Sequence, residues 1–287
     1  MKACCLNMNK IKLVVVVACI ALILAGVLVT VIAGANFDIG YTDHYYVYIK
    51  ADKEIDVATA EEAISEYSNT YMLYKTYNVD GDNDGFSADI CLNEAESLDA
   101  LVLSLCSKYD VDPETAVVST VKGDSYFADC LIPIIALVAM VVVAGIYATI
   151  KHSFKAGLLV TVGSFISALA SVGLSLLIQT KLTASFYVVP HVAAIISMVI
   201  SFIALDKIDE VSMAMQNKED RQVVLTKGIK EALPVCVFLC VIAIAAFVVM
   251  GILGGHVSSI FMPLALSAII AFVMSLYGMM PYYVINK

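Results

Sequence analysis

The order of apolar and polar stretches constrains this chain more than any motif does: one apolar run, an acidic segment of domain size, then five apolar runs in close succession. Residues 12 to 34 pass from Lys12 through a valine-rich segment to Gly34 without a further charge. That length crosses a hydrocarbon core of ~30 Å at 1.5 Å per residue. The next such run begins only near Asp129. The pattern predicts spans over 12–34, 129–150, 156–179, 183–205, 232–253 and 257–284. Composition agrees, with 61% hydrophobic and 15% charged residues and a mean hydropathy of +0.89.

The first run also has a reading as a cleaved leader, because Lys10 and Lys12 precede it and Ala33-Gly34-Ala35 offers small residues. Its apolar core exceeds the ~7–15 residues of a leader's apolar region, which favours a retained helix. Three segments carry ten of the 17 Lys and Arg: Lys2, Lys10 and Lys12; Lys151 and Lys155; and Lys207, Lys218, Arg221, Lys227 and Lys230. All three fall on one side of a six-span topology, which the positive-inside rule makes cytoplasmic. Both termini are then inside and residues 35–128 outside, with the turn at Gly254, Gly255 and His256. The expected domains are 1–34, a cytoplasmic N-terminus and first helix; 35–128, an extracytoplasmic module; and 129–287, a five-helix bundle.

The external module is strongly acidic, holding twenty of the chain's 26 Asp and Glu within residues 38–129 against Lys50, Lys53, Lys75, Lys108 and Lys122. Such a surface disfavours nucleic acid and close lodging on anionic lipid. Alternation and periodicity predict strands over 44–50, 71–79, 86–92 and 115–121 and helices over 57–67 and 97–109. The order βαββαβ is that of a ferredoxin-like sandwich. The fold class is therefore an α-helical polytopic membrane protein, six helices in a one-plus-five arrangement around a ferredoxin-like α+β domain.

No catalytic or metal-binding constellation emerges. Asp80, Asp82 and Asp84 before Gly85 imitate the start of an EF-hand loop, but Cys91 stands where the bidentate Glu is required. A hairpin turn over 80–85 is the better reading. Of eight cysteines, Cys91 and Cys106 share the module and could pair or stay as two thiols; Cys236 and Cys240 are one helical turn apart. Small residues recur every four positions at Gly163, Ser167, Ser171 and Ser175, and again at Ser267, Ala271 and Ser275, while Gly251 and Gly255 close the fifth span. Such ridges let membrane helices approach closely.

Several segments resemble SecF, the six-helix subunit that works beside SecD in bacterial protein export and belongs to the resistance-nodulation-division group. Gly34-Ala-Asn36-Phe37-Asp-Ile-Gly40 is similar to the SecF pattern Gly-x-Asp-Phe-x-Gly-Gly. Tyr147-Ala-Thr-Ile-Lys151 resembles Tyr-x-x-Phe-Arg, and Asp206-Lys207-Ile208-Asp209-Glu210 resembles Asp-Arg-Ile-Arg-Glu. Leu253-Gly254-Gly255 stands where SecF has Phe-Gly-Gly. The resemblance covers essentially the whole chain. It implies an accessory role late in translocation across the bacterial cytoplasmic membrane, with a SecD-like subunit, the protein-conducting Sec channel and the translocating polypeptide as partners, lipid as surroundings and no cofactor. The competing reading is a half-unit transporter or lipid-handling relative of the same superfamily.

The departures are as informative. SecF carries an intramembrane Asp and an Arg-Thr pair tied to proton movement; here the corresponding regions read Ser197-Met-Val-Ile-Ser201 and Glu231-Ala-Leu-Pro-Val235. No Asp or Glu lies deep in an expected span, although a proton relay needs titratable groups there. His191, after Pro190, is the candidate replacement carrier, against a hydrogen-bonded structural role. Asp206, Asp209 and Glu210 also admit two readings: Asp206 and Glu210, one turn apart, pair with Lys or Arg of the following loop or with partner helices, or the three form a charged helix end anchored at the interface.

Overall fold

The computed structural model describes residues 8–50, 56–77, 83–92, 97–215, 221–253 and 260–283. The chain divides into two compact units, one formed by Phe37–Ala128 and the other by Met1–Asn36 with Asp129–Lys287.

The smaller unit runs β1 (His44–Lys50), α2 (Val57–Ser65), β2 (Thr70–Tyr77), β3 (Asn83–Cys91), α3 (Ser97–Tyr109) and β4 (Val117–Val121), after α1 of the larger unit (Met8–Ala33). Its strands pair antiparallel in the order β2-β3-β1-β4, the ferredoxin-like arrangement that βαββαβ predicts. The register Tyr45↔Ile90, Val47↔Ala88 and Ile49↔Phe86 puts one residue in two of each central strand on the helix-covered face. There Val47, Ile49, Phe86, Ala88 and Ile90 meet Ala60, Ala63 and Ile64 of α2 and Leu101, Leu105 and Cys106 of α3, all fully buried.

Local chemistry fixes the helix ends. Asp56 caps α2 by accepting from the Ala58 amide (3.1 Å) and the Thr59 hydroxyl (3.0 Å). The Tyr109 hydroxyl, at the end of α3, donates to the Asp56 carbonyl at 2.8 Å and so ties the two helices together. Cys91 follows Ile90 onto the face of β3 away from the helices, next to Thr42, with Sγ 3.1 Å from the hydroxyl. Cys106 lies in the core on the other face, and both remain free thiols. Burial, reinforced by the Asp112 carboxylate, holds the Cys106 thiol above its ordinary range.

One expectation for this unit is corrected. The segment read as a turn over 80–85 already belongs to β3 from Asn83 onward, with Gly85 paired to both Lys50 and Thr76. A Cβ at Gly85 would collide with the Ile49 carbonyl oxygen. That glycine serves close strand approach, and Asp80 and Asp82 lie outside the described residues.

The larger unit holds α1, α4 (Tyr126–Lys151), α5 (Phe154–Leu177), α6 (Val188–Ala214), α7 (Arg221–Leu253) and α8 (Phe261–Val273), the last opening into a π-helical turn at Met274–Met279. Among the described residues six helices are long and apolar enough to cross a membrane, and the chain is a multi-pass membrane protein. Half of the span of α5, α6 and α8 is enclosed by protein, against 11–17% for α1, α4 and α7. The first three form the interior of the bundle.

Helix α5 occupies that interior because its sequence is small. Gly163, Ser167, Ser171 and Ser175 are all buried, as are Ser267, Ala271 and Ser275 of the last span. Gly173 meets α1 backbone to backbone: a Cβ on it would lie 2.7 Å from the Leu22 carbonyl oxygen, and Gly26 meets Gly173 in return. Lipid gives helices no hydrophobic drive to associate, so close packing of this kind holds them together.

Two helices differ in their bounds from the expected spans. Helix α6 begins at Val188 rather than near 183 and runs on to Ala214, and α7 begins at Arg221 rather than 232. Hydropathy registers only the lipid-embedded part, whereas the helices continue because their extensions pack together. Ile208 and Val211 of α6 are buried with Val224 and Ile229 of α7.

Replacing Gly173 by Leu places a branched side chain where α1 backbone sits. The expected outcome is a loss of about 1–3 kcal/mol from overpacking, read as a lower thermal unfolding midpoint in detergent. An unchanged midpoint would contradict the α1–α5 contact.

Candidate functional site

The described interactions outside the core concentrate in three places: the exit of α1, the opposite end of the bundle, and a set of hydroxyls at its centre.

Helix α1 stops at Gly34, whose φ of +80° is the left-handed conformation that glycine adopts without penalty. Its amide still reaches the Thr30 carbonyl at 3.0 Å. Asn36 then binds the connection between α5 and α6 twice. Its side-chain amide donates to the Gln179 carbonyl (2.9 Å), and its own carbonyl accepts from the Leu182 amide (2.7 Å). An aspartate here could not donate the first of these bonds unless protonated. Phe37 packs on Tyr126 with ring centroids 5.4 Å apart, and the Gly40 carbonyl accepts from the Asp124 amide at 2.9 Å. The two end segments of the small unit are thereby joined: the Asp43 carboxylate also accepts from the Gly123 amide at 2.9 Å.

At the other end of the bundle the segments 147–151 and 206–210, far apart in sequence, come together. Tyr147 of α4 stands edge-on to Phe202 of α6, centroids 5.4 Å apart. One turn further along each helix, Lys151 Nζ donates to both Asp206 oxygens at 2.7 and 3.0 Å. Lys207 pairs with Glu210 at 2.6 Å, and Ile208 is buried against Gly228 of α7. Asp206 is thus paired with Lys151 of α4, and Glu210 with Lys207 of its own helix.

The sequence reading missed the centre of this cluster. The His152 side chain is only 3% exposed, and its Nδ1 lies 2.7 Å from Asp209 Oδ2. An ionised carboxylate only accepts, so Nδ1 carries the proton of that bond. Nε2 faces Asp206 Oδ1 at 3.4 Å without a hydrogen bond. The other Asp209 oxygen accepts from the Tyr283 hydroxyl at 3.1 Å. Asp209 thus joins the α4–α5 turn, α6 and the end of the last span. Lys12 adds the start of α1, its ammonium 4.1 Å above the Tyr282 ring.

His191 lies elsewhere. It sits in the first turn of α6, half-buried, with Nδ1 2.7 Å from the Tyr187 carbonyl and its ring edge-on to Tyr187. Gly254 and Gly255 lie outside the described residues.

The region where the SecF pattern has its carboxylate is lined by hydroxyls. Ser197 and Ser275 Oγ are 2.7 Å apart, Ser275 Oγ lies 3.1 Å from the Ser197 carbonyl, and Ser167 Oγ lies 3.3 Å from Ser197 Oγ. All are buried. These groups do not ionise, so the set can position helices and bind polar neutral molecules but cannot itself store a charge. Among the described residues no group of His, Cys, Asp and Glu has the geometry to hold a metal ion.

Solved structures share this geometry. A crystal structure of SecDF in its super-membrane-facing form superposes on 95% of this chain with a TM-score of 0.71 at 13% identity. SecDF from Thermus thermophilus, described as a translocon-associated membrane protein, superposes on 96% with a TM-score of 0.61 at 14% identity. The fold is that of one part of SecDF. This chain spans 37% and 38% of those two SecDF chains. No protein-family model and no curated protein matches the sequence. The likeness to SecDF therefore lies in the arrangement of helices and sheet, while the side chains have diverged widely.

The cluster predicts unequal costs for its two aspartates. Lys151 and Asp206 are 41% and 50% exposed, and exposed pairs contribute little. Asp209 holds buried His152 and Tyr283, and losing hydrogen bonds to a charged group costs about 1–3 kcal/mol. Asp209→Ala is expected to lower the unfolding midpoint clearly more than Asp206→Ala; equal effects would contradict this assignment.

Proposed function

We propose that this chain is a SecF-like accessory subunit of the bacterial Sec protein-export machinery, acting late in translocation with a SecD-like partner. The observation that carries this reading is the SecDF fold over 95% of the chain at a TM-score of 0.71. It is supported by the meeting of Tyr147–Lys151 with Asp206–Glu210, the two internal segments whose sequences resemble SecF. A SecD-like portion would supply the remainder of the longer architecture.

In this reading the clustered cations place the Lys151 and Asp206 end at the cytoplasm. Residues 37–128 then face outward, where a secretory chain emerges. The proposed contribution is mechanical: the outer unit engages polypeptide or the SecD-like partner, and the bundle transmits motion. Helix α6 carries Ser197 and Ser201 in its interior and no Asp or Glu before Asp206. Proton coupling would then depend on titratable groups of the partner.

A photoreactive residue at Tyr74, which is 48% exposed on β2, provides the test in intact cells. Capture of secretory chains or a SecD-like protein is expected. Capture of a different membrane complex in their place would overturn the proposal.

A further inference from the structure

Two hydroxyls in the centre of the bundle have no partner among the described residues. Ser164 of α5 and Ser201 of α6 are both 0% exposed, and neither Oγ makes a hydrogen bond. A buried hydroxyl in that state is costly, and in lipid it has no solvent to turn to.

The ordinary solution for a membrane serine is the carbonyl four residues earlier. Ser167, Ser171 and Ser175 all use it, each at 2.8 Å. Ser201 would need the Ser197 carbonyl. That oxygen already serves the α-helical ladder, and Ser275 Oγ lies 3.1 Å from it. A carbonyl offers two lone pairs, so Ser201 is displaced from its usual acceptor. The displacement arises in the last span, where the chain is π-helical over Met274–Met279 and brings Ser275 onto α6. Single π-helical turns recur where a helix serves a specific local contact.

The two serines also stand at the same level of the bundle. Helices α5 and α6 are joined by the short connection 178–187 and run antiparallel, with Ser167 beside Ser197. Ser164 lies about one turn before Ser167 and Ser201 about one turn after Ser197, which brings the two to the same level. Next to Ser164, Gly163 lets Met279 pack close, its Cγ 2.9 Å from the position a Cβ would take, and Ser197 Oγ lies 4.0 Å from that position.

We propose that Ser164 and Ser201 bind ordered water between α5 and α6, in contact with the Ser167–Ser197–Ser275 set. The proton inventory fits water. Ser164 and Ser201 each have a hydroxyl proton to donate. Ser167 Oγ donates to the Gly163 carbonyl and keeps lone pairs free, and Ser197 Oγ, donating to Ser275, does the same. A water molecule accepts from the first two and donates to the second two, within the two to four partners typical of buried water. The site is uncharged and independent of the proposed role in export.

Water-edited solid-state NMR on the full chain in phosphatidylcholine bilayers, with 13C-labelled serine, tests this directly. Magnetisation from water is expected to reach the Cβ of Ser164 and Ser201, and to build up more slowly at Ser171 and Ser175, which are bonded to their own helix. Ser201→Ala should weaken the transfer at Ser164, and Ser201→Thr should restore it. Absence of transfer in the parent chain, equal transfer at all four serines, or undiminished transfer at Ser164 in Ser201→Ala would each overturn the proposal.

Discussion

Everything in the larger unit depends on how closely α5 can be approached. A membrane bundle gains nothing from hiding apolar groups from water, so its helices stay together through backbone-level packing and a few polar contacts. Helix α5 meets both needs with one sequence. Gly173 admits α1 at backbone distance, and Gly163 admits the last span through Met279. Its serines bond to their own carbonyls while Ser167 reaches Ser197. A bulkier α5 would push α1, α6 and α8 apart together.

Around that centre the two ends of the bundle are closed in different ways. At one, Asn36 clamps the exit of α1 to the α5–α6 connection through neutral hydrogen bonds. At the other, Asp209 gathers His152 and Tyr283 from elements far apart in sequence. The charges of the helical region therefore lie at its termini, and the interior is hydroxylic. The bundle has the SecDF fold and carries serines where the SecF pattern places a carboxylate. That combination underlies the division of labour proposed here, with a mechanical subunit and titration assigned to a partner.

Much of this was legible in the sequence because it rests on periodic signals. The six spans, the βαββαβ order and the small-residue face of α5 all follow from spacing within a single element. Hydropathy could not find the true ends of α6 and α7, since Ile208 and Ile229 are buried by protein rather than by lipid. Gly85 looked like a turn residue because its partners Lys50 and Thr76 are set by pairing. His152 was missed for a similar reason. Its meaning comes from Asp209, 57 positions away, and no local pattern announces that contact. The orphaned Ser201 is less legible still, because it arises from a carbonyl claimed by a residue on another helix.

The central claim is that this chain is one part of a SecDF-like pair. It is tested most directly by native mass spectrometry of the complex purified from its own membranes under mild detergent. Such a pair predicts association with a second, SecD-like polytopic chain in equal number. A homo-oligomer of this chain alone, stable and without such a partner, would contradict it.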